Sequence, residues 1–395
     1  MAIEVLLWPH DPLTVGTSTR AAIDDFGAQH RMEVHLEDLT PEREWEEVIK
    51  IALHRYGPDV AEVGSSWVSS LAAMNALRSF TAAEVALLGG AAAFWAPVWR
   101  AALLPGDHRV WAIPRTVDTR LVFYRRDLLE RAGVDERTAF QTPERFEQTL
   151  QRLQAAGVEA PLAIGTGPRV VGVHIAACWV WGAGGDFVSA DGKQILFDRP
   201  EARAGLRAYF GLHRYISPRI ADWPSPEVAF CQGQAAVTIS GLWLFWTLRD
   251  VNTGQVAANL GVASPPGVPY VGGTHLVVWA HSPIRNQQLA VEIVRLLTGR
   301  ELQSSFSEGT FPARLDATHA LEKSHPLAYR AVVNNLRTGR YFPNTSLWSA
   351  VEDRLTTAFD SIWSELLGRP EADVDAAIAR QLDPLAERLN MTLHG

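Results

Sequence analysis

VWAIPRTVDTRLVFYRRDLLERAGV, residues Val110 to Val134, places a strand, a polar interruption, a second strand and a helix in close succession. Apolar and polar residues alternate from Val110 until Pro114 breaks the pattern. Leu121-Val122-Phe123-Tyr124 then has the aromatic and β-branched composition of a buried strand. Asp127 is suited to cap a helix, Leu128, Leu129 and Ala132 form its apolar stripe, and Gly133 stops it. Between the strand halves stands Arg115-Thr116-Val117-Asp118-Thr119, a polar run inside an otherwise buried segment. Two readings account for it. One is a β-bulge or an exposed loop. The other is a passage of the chain from one lobe to another, leaving a polar patch in the cleft between them.

A chain of 395 residues exceeds one ordinary core and implies two domains. Its 47% hydrophobic and 20% charged residues are those of a soluble globular protein. No apolar run reaches the roughly 18 residues of a membrane span. A net charge of -8 argues against nucleic acid as the main partner, because phosphate binding needs a basic surface. Two cysteines, Cys178 and Cys231, make neither a disulfide framework nor a paired-cysteine metal or redox motif. The opening MAIEVLLWPHD enters a strand at once, without the basic segment and apolar core of a secretory signal. That leaves a cytoplasmic protein, such as a stand-alone sensor, or one whose signal has been replaced by a start Met. Fourteen tryptophans are the one departure from average composition. An excess of Trp reflects core filling or stacking surfaces.

From the start, the spacing predicts a strand at Ile3 to Trp8, closed by Pro9-His10-Asp11-Pro12, then a helix over Thr17 to His30. A strand at Met32 to Leu36 and an amphipathic helix over Pro41 to Tyr56 follow, with Glu42, Glu44, Glu46 and Glu47 at the positive end of its dipole. Gly57 to Gly64 adds a turn and a third strand. The order β-α-β-α-β is the signature of an α/β fold, a parallel sheet covered by helices. No glycine-rich phosphate loop follows a strand, so a nucleotide site is not expected. Gly64-Ser65-Ser66-Trp67 opens the next helix at the carboxyl edge of the sheet, where such folds place ligands. The serines are either helix caps or part of a site whose backbone N–H groups meet oxygen ligands.

Later, Thr142-Pro143 opens a helix with Thr as its cap and Pro in its first turn. Val171 to Trp181 is an apolar helix ended by Gly182-Ala183-Gly184-Gly185-Asp186, and Glu201 to Arg214 is a further helix. Ala229 to Trp243, AFCQGQAAVTISGLW, reads as a helix end, a glycine turn and a strand finishing in Gly-x-Trp. Ser264-Pro265-Pro266-Gly267 and Val271-Gly272-Gly273-Thr274 precede an apolar strand, and Asn286 to Thr298 is helical. Glu308 to Arg314 is a turn, and Ser346 to Leu393 is helical by period, with Trp348 near its start.

Taken together, Ala112-x-Pro114, Asp118-Thr119 and Phe123-Tyr124-Arg125-Arg126-Asp127-Leu128-Leu129, with the Ala229–Trp243 block and the Gly272-Gly273 segment, resemble the sugar-binding solute receptors of ABC transporters related to maltose-binding protein. The resemblance covers nearly the whole chain in order. It implies a two-lobed periplasmic-binding-protein fold, each lobe a sheet flanked by helices, with the ligand cleft between the lobes. Lobe 1 would comprise 1–114 and 265–312, and lobe 2 would comprise 118–262 and 315–395, with crossings near 114–118, 262–266 and 312–315. The function implied is capture of a carbohydrate, with lobe closure and delivery to a membrane permease. The receptor would be a monomer, periplasmic or held outside the membrane by a lipid anchor, with no cofactor, no metal and no catalytic residues.

The ligand-binding residues implied are Trp8, Ser65, Ser66, Trp67, Arg115, Asp118, Trp181, Trp243, Gly272, Gly273, Arg314 and Trp348. Sugars present apolar C–H faces and many hydroxyls, which call for aromatic platforms beside charged hydrogen-bonding groups. Asp118 stands at the family's carboxylate position, often Glu, and its shorter arm would shift or shrink the pocket. Asn75 stands where the family's segment usually ends in Gly. Arg115, Arg169 and Arg314 keep open a non-sugar solute such as glycerol phosphate; a polyamine or thiamine receptor is a further alternative. An enzyme resembling thiaminase on the same fold would need Cys178 or Cys231 as nucleophile, and both lie in apolar or helix-end contexts suited to inert thiols. The histidines, His54, His174 and His213 among them, lack metal-ligand spacing, and no GxSxG or HExxH motif appears.

Overall fold

In the computed structural model, which describes residues 2–9, 13, 15–39, 44–167, 170–251, 253–306 and 309–394, the polar interruption at 116–119 is itself a strand rather than a bulge or a loop. Of the residues named above, His10 to Pro12, Pro41, Glu42, Arg169 and Glu308 lie outside the described residues. The strands in chain order are β1 (Ala2–Leu7), β2 (Glu33–Asp38), β3 (Val60–Gly64), β4 (Leu77–Arg78), β5 (Ile113–Pro114), β6 (Thr116–Thr119) and β7 (Leu121–Arg125). They continue with β8 (Leu162–Ala163), β9 (Val237–Ser240), β10 (Leu260–Ala263), β11 (Val271–Gly272), β12 (Thr274–Trp279) and β13 (Phe311–Pro312). The stretch 113–125 therefore feeds three different sheets. β5 joins β2-β1-β3-β12-β4, β6 lies between β11 and β13, and β7 lies between β10 and β9, with β8 beyond.

Two compact units account for the chain. Unit 1 is Met1–Asp118, Val271–Pro326 and Tyr341–Ser349; unit 2 is Thr119–Tyr270, Leu327–Arg340 and Ala350–Gly395. In unit 1, β1 pairs in parallel with β2 and β3, while β12 runs antiparallel to β3, β4 and β5. Alternation along the strands sorts the core into two layers. Ile3, Val5, Leu7, Leu276 and Val278 pack with Ile23, Ile293 and Leu297 on one face. Leu6, Ala61, Val63, Val277 and Trp279 pack with Val48 and Leu71 on the other. In unit 2, β7 runs antiparallel to β9 and β10, and the helices Val170–Gly182 and Pro200–Phe210 bury an aromatic group. Trp179, Tyr209, Phe210 and Trp363 meet there at centroid distances of 5.0 to 5.6 Å. Much of the Trp excess is thus core: Trp179, Trp279, Trp348 and Trp363 are among the largest fully buried side chains.

The unit boundaries differ from the motif spacing in three places. Ser264–Tyr270 stays with unit 2, where the Val268 N–H donates to the Cys178 carbonyl at 3.2 Å. Residues 313–326 stay with unit 1, where the Ala313 N–H donates to the Arg115 carbonyl at 3.1 Å. Tyr341–Ser349 also belongs to unit 1. The Asn344 amide donates to the carbonyls of Arg100 and Leu103 at 3.0 and 2.7 Å, and the Ser69 and Ser70 hydroxyls donate to those of Thr345 and Ser346, both at 2.8 Å. These contacts join distant positions, so no local pattern announces them.

Local signals fared unevenly. Thr142 caps the helix Pro143–Ala155, its hydroxyl accepting the Arg145 N–H at 3.3 Å. Asp127 is not a cap: its helix starts at Arg126, and its carboxylate instead pairs with Arg125 at 2.6 Å. Ser65 and Ser66 are not side-chain caps either, since they form a 3-10 turn that runs into the helix Val68–Ala73. Asn75 ends that helix with φ +53°, a left-handed conformation that Asn tolerates better than most residues. The expected helix at 346–393 is two, Trp348–Gly368 and Val374–His394.

Candidate functional site

Unit 1 gathers its candidates at the carboxyl ends of β1, β2 and β3. Trp8 follows β1, Asp38 ends β2 and Gly64 ends β3. A hollow of about 90 Å³ opens there, walled by Trp8, Thr17, Thr19, Arg20, Leu36 and Asp38 among others. Arg20 and Asp38 form an ion pair at 2.6 Å on its rim. Trp8 is half-buried and stacks on Trp67 with centroids 5.5 Å apart and planes 27° apart; Trp45 tilts against Trp67 at 5.4 Å. Trp67 is itself buried, so Trp8 is the ring of the pair that retains accessible surface.

Beneath this edge lies a polar centre that motif reading did not single out. Glu62, fully buried on β3, accepts the Arg115 guanidinium and the Thr274 hydroxyl, and also the Trp8 backbone N–H at 3.1 Å. Arg115 donates further to the Thr19 hydroxyl at 3.1 Å, and the Thr116 and Thr274 hydroxyls share a hydrogen bond at 2.8 Å. A buried carboxylate and a buried guanidinium are tolerable only as such a pair. Arg115 is fully buried, so its charge is spent on Glu62 and it offers no hydrogen bond to a solute. Its expected role as a contact residue is replaced by one as a support of Trp8. The signal was a lone Glu in Val60-Ala61-Glu62-Val63, an apolar strand that needs a cation to bury it.

Gly273 completes the arrangement. At φ +151° a Cβ would lie 2.0 Å from the Thr116 carbonyl oxygen, so only glycine fits, and its own carbonyl accepts the Ser65 N–H at 2.9 Å. Unit 1 thus brings Trp8, Ser65, Trp67, Gly272 and Gly273 together around β3, β11 and β12. Asp118 is half-buried at the end of this unit on β6. Arg314 is engaged elsewhere, pairing with Asp316 at 2.9 Å with its guanidinium 5.7 Å from the Phe94 ring. Trp348 is fully buried, stacked on Phe342 at 4.3 Å, and presents no face to a solute in this conformation.

In unit 2 the candidates are Trp181 and Trp243. Trp181 is buried; its N–H donates to Asp186 at 3.0 Å and Arg340 lies 5.1 Å over its ring. Trp243 is half-buried at the start of the helix Leu244–Asp250. Its indole N–H donates to Glu227 at 3.1 Å, and the Arg120 guanidinium lies 4.9 Å from its ring centroid. An indole held at its edge with part of its surface accessible is suited to stack on an apolar C–H face. Arg120 and Glu62 escaped motif reading because each acts on a residue far away in sequence. Glu227 stands just ahead of the Ala229–Trp243 block and reaches Trp243 only through the fold of the intervening turn.

The two thiols are poor nucleophiles. Cys178 and Cys231 are buried, and desolvation pushes each up to about 12. Among the described residues no helix is long and apolar enough to cross a membrane.

Residues 12–304 match the family described as bacterial extracellular solute-binding protein. Among solved structures, the chain is similar to an ABC transporter solute-binding protein from Thermotoga lettingae TMO bound with alpha-D-tagatose (TM-score 0.81, 18% identity, 99% of each chain). It is also similar to maltose-bound MalE3 of T. maritima (TM-score 0.81, 20% identity, 98% of this chain and 99% of that one). The sugar-binding protein MalE from the phytopathogen Xanthomonas citri aligns with a TM-score of 0.79 at 18% identity, over 100% of this chain and 98% of that one. At these identities the likeness carries the fold, the two-lobed α/β fold of those binding proteins.

Proposed function

Because the chain belongs to the bacterial extracellular solute-binding protein family, we propose that it is the receptor of an ABC importer for a mono- or oligosaccharide. It is a binding protein, not an enzyme. Unit 2 offers Trp243 as a stacking surface; unit 1, taken by itself, offers Trp8 for stacking and Asp118, Ser65 and the Gly272-Gly273 backbone for hydrogen bonds. The observation that carries this reading is Trp243: half-buried, with its N–H fixed by Glu227, it is a rigid aromatic platform with accessible surface. Sugar-bound proteins among the similar structures support the same solute class. The receptor acts outside the cytoplasm as a monomer, either periplasmic or held at the membrane by a lipid anchor, and hands its solute to a membrane permease.

A polyol-phosphate receptor would draw on Arg115, Arg169 and Arg314; Arg115 and Arg314 are engaged with carboxylates, and Arg169 lies outside the described residues. A thiaminase-like enzyme would need a thiolate, which buried Cys178 and Cys231 do not supply. The test is a thermal-shift screen with mono- and oligosaccharides, glycerol phosphate, thiamine and spermidine, followed by calorimetry. A ligand at about 100 times its Kd adds about 2.7 kcal/mol, a shift of a few degrees. A selective shift with one sugar class, lost in Trp243→Ala, is the expected result. A shift only with glycerol phosphate, thiamine or spermidine would overturn the carbohydrate reading.

A further inference from the structure

Arg120, which joins β6 to β7, is almost wholly buried in unit 2, and its guanidinium lies over two aromatic rings. Trp243 is 4.9 Å from it and Tyr270 is 5.6 Å. One guanidinium nitrogen is 2.9 Å from Nδ1 of His174. A guanidinium only donates, so Nδ1 accepts and the imidazole proton resides on Nε2. Nε2 is 3.0 Å from Oε1 of Glu352 and donates to it. His174 and Glu352 are both buried, and the imidazole stacks on Tyr270 at 4.2 Å and 18°. The Asn335 amide donates to the Arg120 carbonyl at 3.0 Å, fixing the backbone from which the guanidinium reaches. A buried cation needs a buried anion, and the Glu352 carboxylate is linked to this one through an imidazole held in a single tautomer.

The geometry points to Arg120 as a positioning residue for Trp243 in solute binding, held there by the His174–Glu352 relay. This rests on the reading above that Trp243 contacts the solute. Glu227 fixes the edge of the indole and Arg120 bears on its face, so the ring is restrained in two directions. The relay starts on the helix Trp348–Gly368, passes through the helix Val170–Gly182 and ends at the β6–β7 junction. Packing on that helix is thereby coupled to the attitude of the platform.

The test combines a readout that needs no solute with one that does. With 5-fluorotryptophan incorporated, the Trp243 19F resonance is identified by its loss in Trp243→Phe. In Arg120→Leu/Glu352→Gln, which removes both buried charges together so that the fold is kept, this resonance shifts and broadens. His174→Leu does the same. His174→Gln, whose amide can both accept from Arg120 and donate to Glu352, stays close to the parent. By calorimetry with the sugar found in the screen, Arg120→Leu/Glu352→Gln and His174→Leu each weaken binding about tenfold, the scale of a buried cation–π contact. In a Trp243→Leu background the same changes cost less than about twofold, because they act through that ring. An unmoved Trp243 resonance in both variants, or losses that add fully to that of Trp243→Leu, would overturn the assignment. If no sugar binds at all, the carbohydrate reading fails alone, and the 19F spectra still decide the relay.

Discussion

The indole N–H of Trp243 donates to Oε1 of Glu227 at 3.1 Å, and the same oxygen accepts the Ser240 hydroxyl at 2.8 Å. One carboxylate oxygen therefore ties the last residue of β9 to the ring that follows it. Replacing Glu227 by Ala frees the indole edge and leaves its N–H without this partner. A hydrogen bond to a charged acceptor is worth about 1.5–3 kcal/mol, so solute affinity should fall at least about tenfold, and less in Glu227→Gln. Calorimetry on the two variants checks this. Equal affinities for both variants and the parent would show that the ring does not depend on Glu227.

Gly241 makes room for the same ring. A Cβ at this position would lie 1.9 Å from the Trp243 ring, and the side chain rather than the backbone must give way. Gly241→Ala should therefore displace the indole, weakening binding more than tenfold while costing about 1–3 kcal/mol of stability. Urea unfolding and calorimetry on one preparation separate the two effects. A loss of stability with unchanged affinity would place the ring's importance in packing alone.

Glu62 and Arg115 form the buried ion pair beneath Trp8. Arg115→Leu leaves a buried carboxylate without its cation and should cost about 3–5 kcal/mol. Glu62→Leu/Arg115→Leu removes both charges and should recover most of that loss. Chemical denaturation of the two proteins provides the comparison. If the double variant is the less stable, the pair contributes net stability in its own right.

His275 is fully buried on β12, and desolvation lowers it to about 4, with the Val98 carbonyl bond and Glu62 opposing that shift. The folded state thus holds a neutral imidazole that the unfolded chain would protonate below its ordinary value near 6.5. The unfolded state binds more protons in this window, so stability falls as pH drops from about 6.5 to about 4. The loss from this residue reaches about 3 kcal/mol at the acid end. His275→Gln, which can still donate to Val98, should flatten that slope. Urea midpoints at pH 7, 5.5 and 4.5 measure it. Parallel slopes for parent and variant would assign the acid sensitivity to other groups.

The backbone layers are legible in the amino-acid sequence alone. Alternation in Ile3, Val5 and Leu7, the helical period from Ala21 to Phe26, and the cap at Thr142 are local, and local interactions repeat with the period of the structure they build. The reading failed where one residue answers to a distant one. Asp127 looked like a cap until Arg125 claimed it. Arg115 looked like a ligand contact, but the carboxylate that neutralises it comes from β3, on another part of the chain.

The amino-acid order by itself determined an acidic α/β protein with two cores, a polar run set between buried strands, and a Gly-x-Trp turn after one of them. It could do so because strand and helix preference, turn chemistry and burial pattern act over a few neighbouring residues. Tertiary structure alone decided which tryptophans keep accessible surface, which arginines are already paired, and that Tyr341–Ser349 belongs to unit 1. Charge pairing and ring stacking depend on distances through space. Glu62 and Arg115, or His174 and Glu352, become neighbours only when the sheets and helices that carry them have packed.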